Sequence, residues 1–249
     1  MSEFAQYFSE LRTELNKLPS RAAKGALLER AFQIPLLWPP SEYPTERTLA
    51  EQFQRALTPW GGKVHIVKSE DEAVPKVAEL IQEAKATRGS RWICPRLNRF
   101  DWEKGLAHLN LEWIIPNSQE LQAGGDEGKR REMIERMEKI EVGLTDCDLA
   151  VAHTGSLVFR HSSERNGYVN LFPWTHIAIV WISQVVKTVQ EAIENLEASI
   201  PDKKWSANTV FVTGPSRSGD IDLTVGQGAA GPGRFHVILI DRPENENNG

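Results

Sequence analysis

The chain has 249 residues, of which 40% are hydrophobic and 25% charged, with a net charge of −5. This is enough apolar material for one large α/β domain, or one domain and an arm. The acidic balance argues against a nucleic-acid protein, no apolar run is long enough for a membrane helix, and Met1-Ser2-Glu3-Phe4 lacks the pattern of a secretory signal, so the expected location is the cytoplasm.

Phe4, Tyr7, Phe8, Leu11, Leu15 and Leu18 recur at helical spacing, and a second short helix is expected over Ala22 to Phe32. Pro35, Pro39, Pro40 and Pro44 then break the pattern. We therefore expect an N-terminal helical arm and proline-rich connector over 1–44, an α/β domain over 45–242 and a polar tail over 243–249. The arm's apolar face requires cover, from its own domain or from a partner. Within the domain, helices are predicted for Thr45 to Leu57, Glu70 to Ala86, Met133 to Leu144 and Val185 to Leu196. Strands are predicted for Val64–Val67, Trp92–Cys94, Leu111–Ile115, Leu149–Ala152, Leu157–Phe159, Ile177–Trp181, Thr209–Val212 and Phe235–Ile240. Strands alternating with helices imply an open, mostly parallel sheet covered on both faces. The short gap at Thr154-Gly155-Ser156 implies one hairpin or bent strand pair.

The stretch richest in chemistry is Thr213-Gly214-Pro215-Ser216-Arg217-Ser218-Gly219-Asp220, a polar loop expected between two buried strands. Gly214 and Gly219 permit close backbone approach. Ser216 and Ser218 offer hydroxyls, and Arg217 a planar donor fork for carboxylate or phosphate. Asp220 can orient Arg217 or a substrate hydroxyl, and is the candidate catalytic carboxylate. The plain alternative is a tight turn with an Arg217–Asp220 ion pair. Thr154, Gly155 and Ser156 follow an apolar strand and could hold an anion through hydroxyls and backbone N–H groups; the alternative is a simple strand turn. Among the histidines, His65 and His236 read as sheet residues and His161 as part of a solvated loop. His176, just before a strand, is the best placed for a pocket. Asp146 and Asp148 resemble a carboxylate pair in spacing alone.

Several motifs fail on context. Gly226-Gln227-Gly228-Ala229-Ala230-Gly231 matches G-x-G-x-x-G, but a strand follows where the dinucleotide fingerprint needs a helix. No P-loop occurs, and Gly214-Pro215-Ser216-Arg217-Ser218 ends in serine where a nucleophile elbow needs glycine. No metal-ligand spacing occurs. Cys94 and Cys147 are the only cysteines, too few for a four-thiolate iron–sulfur cluster.

Four segments in order carry a resemblance: Asp148 to Val158, Phe172 to Ile177, Thr213 to Ile221, and Gly231 to Leu239. Together they resemble the LUD-domain family and, within it, the lactate utilization protein C subgroup. The resemblance implies a fold like that of the sugar-phosphate isomerase and CoA-transferase group, a three-layer α/β arrangement around a mostly parallel sheet. It implies a part in oxidising L-lactate to pyruvate with two partners of the lactate utilization A and B type that carry the iron–sulfur clusters, this chain holding no cofactor of its own. Two departures stand out: His153 replaces an acidic residue before the Thr-Gly pair, and Gly226–Pro232 lacks the histidine of the Gly-x-His-Gly-Pro pattern. The expectation is an accessory or ligand-binding subunit with a small anionic ligand at Thr154, Gly155, Ser156, His176, Gly214, Ser216, Arg217 and Asp220. The alternatives are a stand-alone enzyme of the same fold acting on a small anion, or a regulatory ligand-binding module.

Overall fold

The structure, a computed structural model, describes residues 49–116, 126–200, 208–218, 226–227 and 231–242. The expected arm and connector at 1–44 and the tail at 243–249 lie outside the described residues. The chain opens with α1 (Leu49–Leu57), which buries Ala50, Phe53 and Leu57 at helical spacing. Then come β1 (Lys63–Val67), α2 (Glu70–Ala84), β2 (Arg88–Arg91), α3 (Trp102–Leu106), β3 (Glu112–Trp113), α4 (Glu127–Met137) and β4 (Val142–Thr145). They are followed by β5 (Leu149–Val151), β6 (Ser156–Arg160), α5 (Tyr168–Leu171), β7 (Thr175–Trp181), β8 (Val185–Val186) and α6 (Val189–Ser199). The described part closes with β9 (Thr209–Val212), β10 (Arg217–Ser218), β11 (Gly226–Gln227) and β12 (Arg234–Ile240).

Six strands form the main sheet in the order β1-β12-β7-β4-β2-β3, and every pairing in it is parallel. All seven residues of β7 are buried, so both faces of the sheet are covered. Phe235 and His236 are consecutive and therefore point to opposite faces. His236 shares a 3.1 Å hydrogen bond with His65, which lies in the field of Lys76, Glu79 and Glu83 on α2. Phe235 meets His176, whose ring also meets Phe159 of β6. One face is thus covered by α2, the other by a four-stranded mixed sheet of order β8-β5-β6-β9. On that second face α5 lies so close to β4 that a Cβ on Gly143 would fall 1.9 Å from the Val169 carbonyl oxygen.

Several elements differ from expectation. β2 is Arg88–Arg91, ahead of the apolar Trp92-Ile93-Cys94, because its buried centre is the small pair Gly89-Ser90. The helix expected to run to Leu144 stops at Met137, and Val142–Thr145 is a fully buried strand. The helix expected from Val185 begins at Val189, capped by the Thr188 hydroxyl, which accepts from the Glu191 N–H at 3.1 Å. β5 and β6 form the hairpin, with Val151 opposite Ser156. β9, expected to be deeply buried, is the half-exposed edge strand of the smaller sheet. The polar loop that follows it therefore links two sheets. Among the described residues no helix is long and apolar enough to cross a membrane.

Candidate functional site

Six of the eight residues proposed from sequence to hold a ligand gather at the amino end of the main sheet. The Thr154 and Ser156 hydroxyls are 2.7 Å apart, and Ser156 lies 2.6 Å from the Thr213 hydroxyl. This bonded string joins the β5–β6 turn to the end of β9. Gly155 (φ +68°) sits where a Cβ would meet the Leu57 backbone N at 2.5 Å. Gly214 (φ +84°) packs against the Trp60 carbonyl, the Arg217 guanidinium lies over Gly61, and the Ser216 N–H donates to the Pro232 carbonyl at 2.8 Å. Thr154, Gly155, Ser156, Gly214, Ser216 and Arg217 are thus held around one loop, with Arg217 exposed. Asp220 lies outside the described residues. Gly226–Gln227 is a strand paired with Arg217–Ser218, and β12 follows Gly233.

His176 is elsewhere. It is buried inside the main sheet between Phe159 and Phe235, sharing a 2.8 Å hydrogen bond with the Thr145 hydroxyl. Burial, with His236 nearby, drives its pKa down to about 3. It is a neutral core residue in contact with its own sheet and the sheet behind it.

A second polar centre occupies the carboxyl end of the sheet. From β2 the chain steps outward to β3, returns across β2 to β4, and continues through β7 to β12. The direction reverses between β2 and β4, which is the switch point where ligands collect in open α/β sheets. Asp146 and Asp148 follow β4 at that point, and Arg96 follows β2. Arg96 Nη1 donates to Asp146 Oδ2 at 3.3 Å, and Arg165 Nη2 donates to Asp146 Oδ1 at 3.1 Å. Arg165 Nη1 and Arg160 Nε donate to Asp148 Oδ1 at 2.8 and 2.9 Å, while the Arg160 N–H reaches Asp148 Oδ2 at 2.7 Å. The Arg165 guanidinium lies 4.6 Å from the Trp92 ring centre, and His161 meets the other side of this cluster edge-on to Trp92. His161, expected in a solvated loop, is half-buried, and burial lowers its pKa.

The two carboxyls are driven apart. Burial pushes the Asp146 pKa up, against the pull of Arg165 and Arg96. Burial acts on Asp148 in the same sense, but Arg165 and Arg160 together outweigh it and hold this carboxyl below its ordinary value. Beside this centre the turn after β2 contributes Arg99, which pairs with Glu70 at 2.7 Å. The Trp181 Nε1–H donates to the same Glu70 oxygen at 3.1 Å. Glu70 and Arg99 border a cleft of about 810 Å³ between α2 and α3, lined also by Val74, Phe100, Lys104 and His108, a volume suited to a small molecule. The pair of carboxylates was visible in sequence only as a spacing. Its arginines lie 12 to 50 residues away, and only the fold brings them together. Among the described residues no group of three or more His, Cys, Asp or Glu is placed to hold a metal.

An all-parallel central sheet with its charged centre at the switch point defines an α/β protein of the open-sheet class. The chain belongs to the LUD domain family, whose profile matches residues 50–240. It is 29% identical to the lactate utilization protein C of Bacillus licheniformis over 181 residues, 72% of this chain and 74% of that protein. Identity to the Bacillus subtilis protein of the same name is 28% over 180 residues, again 72% and 74%. A Geobacillus protein of that name matches at 27% over 199 residues, 77% of this chain and 80% of its own. The crystal structure of a DUF162 family protein from Deinococcus radiodurans superposes with a TM-score of 0.51 at 18% identity, covering 78% of this chain and 96% of that one, a likeness of fold.

Proposed function

We propose that this protein is a component of a system oxidising L-lactate to pyruvate, acting beside iron–sulfur proteins that carry the electrons. The observation that carries the reading is its similarity, over roughly three quarters of both chains, to proteins named lactate utilization protein C. Two cysteines leave electron transfer through a four-thiolate cluster to other proteins. The ligand is a small carboxylate, with the carboxyl-end centre as its site: three guanidiniums, Arg96, Arg160 and Arg165, face two carboxylates. Guanidiniums present the planar donor fork that suits a carboxylate. Thr154, Ser156 and Arg217 form the competing anion site at the other end of the sheet. A strain lacking this chain will fail to grow on L-lactate as sole carbon source and will recover with the wild-type chain; undiminished growth would contradict the proposal.

A second reading is favoured by the Asp146/Asp148 pair. Two carboxyls whose pKa values are pushed apart are the ordinary arrangement for acid–base work. Asp146 would then carry the proton in a reaction on a small anionic substrate, taking the role expected of Asp220. Turnover by the purified chain without added proteins distinguishes this reading from the first.

A further inference from the structure

At the amino end of the main sheet, three strand starts lie side by side in the order β1, β12, β7. The residues just before and at these starts form a continuous surface. Trp60 precedes β1 and is 55% exposed; Trp174 precedes β7 and is 50% exposed. Leu171 and Phe172, also exposed, extend the surface beyond Trp174. Direct contacts connect the two tryptophans. Trp60 packs on Gly214, Arg217 lies over Gly61, the Ser216 N–H donates to the Pro232 carbonyl, and the Trp174 ring lies 2.4 Å from where a Cβ on Gly233 would sit. Gly214 is packed by the Trp60 backbone and Cβ and Gly233 by the Trp174 indole, which fixes both residues while leaving each about half exposed.

The rim is basic. Lys63 and Arg234 are the first residues of β1 and β12, and both are exposed, as is Arg217. Lys63 lies opposite His236 in the β1–β12 register, and Arg234 stands two residues before His236 on β12, which places the two charges on one edge. Glu141, further along the same edge, is engaged by Thr87 and by Arg88. Among the described residues, three exposed cations thus stand around an aromatic centre. Aromatic anchors within a charged rim are the anatomy of a recognition surface.

We propose that this amino-end face, Trp60, Phe172 and Trp174 within the rim of Lys63, Arg217 and Arg234, docks an acidic surface of another protein. A second copy of this chain fits poorly, because a two-fold contact would set the same cations against one another. The inference rests on the reading above for the partner's identity, an iron–sulfur protein of the lactate-oxidising system. It adds where that partner sits: on the end of the sheet opposite the Asp146 centre.

The test is a binding titration of the full chain against each of the two iron–sulfur proteins, at low and at raised salt. Wild-type chain will bind one of them, and more weakly as salt rises. Lys63→Glu with Arg234→Glu will weaken binding about tenfold or more, and Trp60→Ala about thirtyfold, with unchanged circular dichroism and melting. Arg217 is kept, so that the loop's anion site is undisturbed. Absence of binding by the wild-type chain, or equal binding by the variants, overturns the proposal. So does a wild-type dimer abolished by these same substitutions, or binding only to vesicles rich in phosphatidylglycerol. If the variants lose binding but lactate oxidation never required this chain, the docking face stands and the functional reading falls.

Discussion

Asp146 and Asp148 stand two residues apart, and their pKa values shift in opposite directions: burial prevails at Asp146, and Arg165 and Arg160 prevail at Asp148. Asp148 accepts from two guanidiniums and a backbone N–H, so its charge is balanced by the fold. Asp148→Asn will leave Arg160 and the Nη1 of Arg165 beside a neutral amide, and should cost about 3–5 kcal/mol in denaturant unfolding. Because the folded pKa of Asp148 lies below its unfolded value, its stabilisation is present at neutral pH and is lost as pH falls through the folded pKa. Asp146, with its pKa raised, is the reverse: its ionisation opposes folding, and Asp146→Asn should be the milder change in stability. If Asp146 moves a proton, that same variant will lower turnover by about 10²–10⁴-fold while the chain remains folded. His176 adds a larger acid sensitivity. Held near 3 against an ordinary value of 6.5, it stabilises the fold above pH 6.5, and this is lost as pH falls towards 3. Between pH 6.5 and 5 the loss is about 2 kcal/mol, measurable as a falling urea midpoint, and His176→Phe should flatten that slope. The thiols lie in the same neighbourhood. Burial, with Asp146 beside it, pushes Cys94 up to about 11, and Cys147, fully buried, well above the usual thiol range. Iodoacetamide at pH 8 should therefore label neither in the native protein and both in urea.

The elements hold these residues through close backbone approaches. The β5–β6 turn reaches α1 only because residue 155 is glycine at φ +68° with no Cβ to strike Leu57. Gly155→Ala should cost more than about 2 kcal/mol, seen as a lower denaturant midpoint, and should disturb the Thr154–Ser156–Thr213 hydroxyl string. The long buried strands β7 and β12 were legible from their apolar, β-branched runs, and α2 from its helical stripe. β4 was not, because Ile140 and Leu144 continue the spacing of Met133 and Met137 past the point where the helix stops. β2 was not, because a buried Gly89-Ser90 centre carries no apolar signal; the small residues are needed where Leu111 and Trp113 crowd the strand. The loop around Gly214 was recognisable as a special turn from its glycines and hydroxyls. Its partners Trp60 and Gly61 lie some 150 residues earlier, so their meeting depends on topology.

At the scale of the whole molecule, the parallel sheet separates two chemistries. Its carboxyl end holds the Asp146 centre and the cleft beside Arg99; its amino end holds the hydroxyl string and the exposed tryptophans. The β5–β6 hairpin ties the ends together, with Asp148 at its open end and Gly155 at its turn, about 10 Å apart at strand rise. Sequence motifs drew attention to the amino end, where glycine and serine mark the loop. The carboxyl-end centre depends on four separated segments converging, which no local pattern reveals. The resemblance of four ordered segments to the LUD family was the strongest functional signal in the sequence, and the match over 50–240 bears it out. The most direct measurement is lactate-dependent dye reduction by the two iron–sulfur proteins, with and without this chain. Reduction will require the chain, and the chain alone will reduce no dye. Equal rates in its absence would contradict the proposed function.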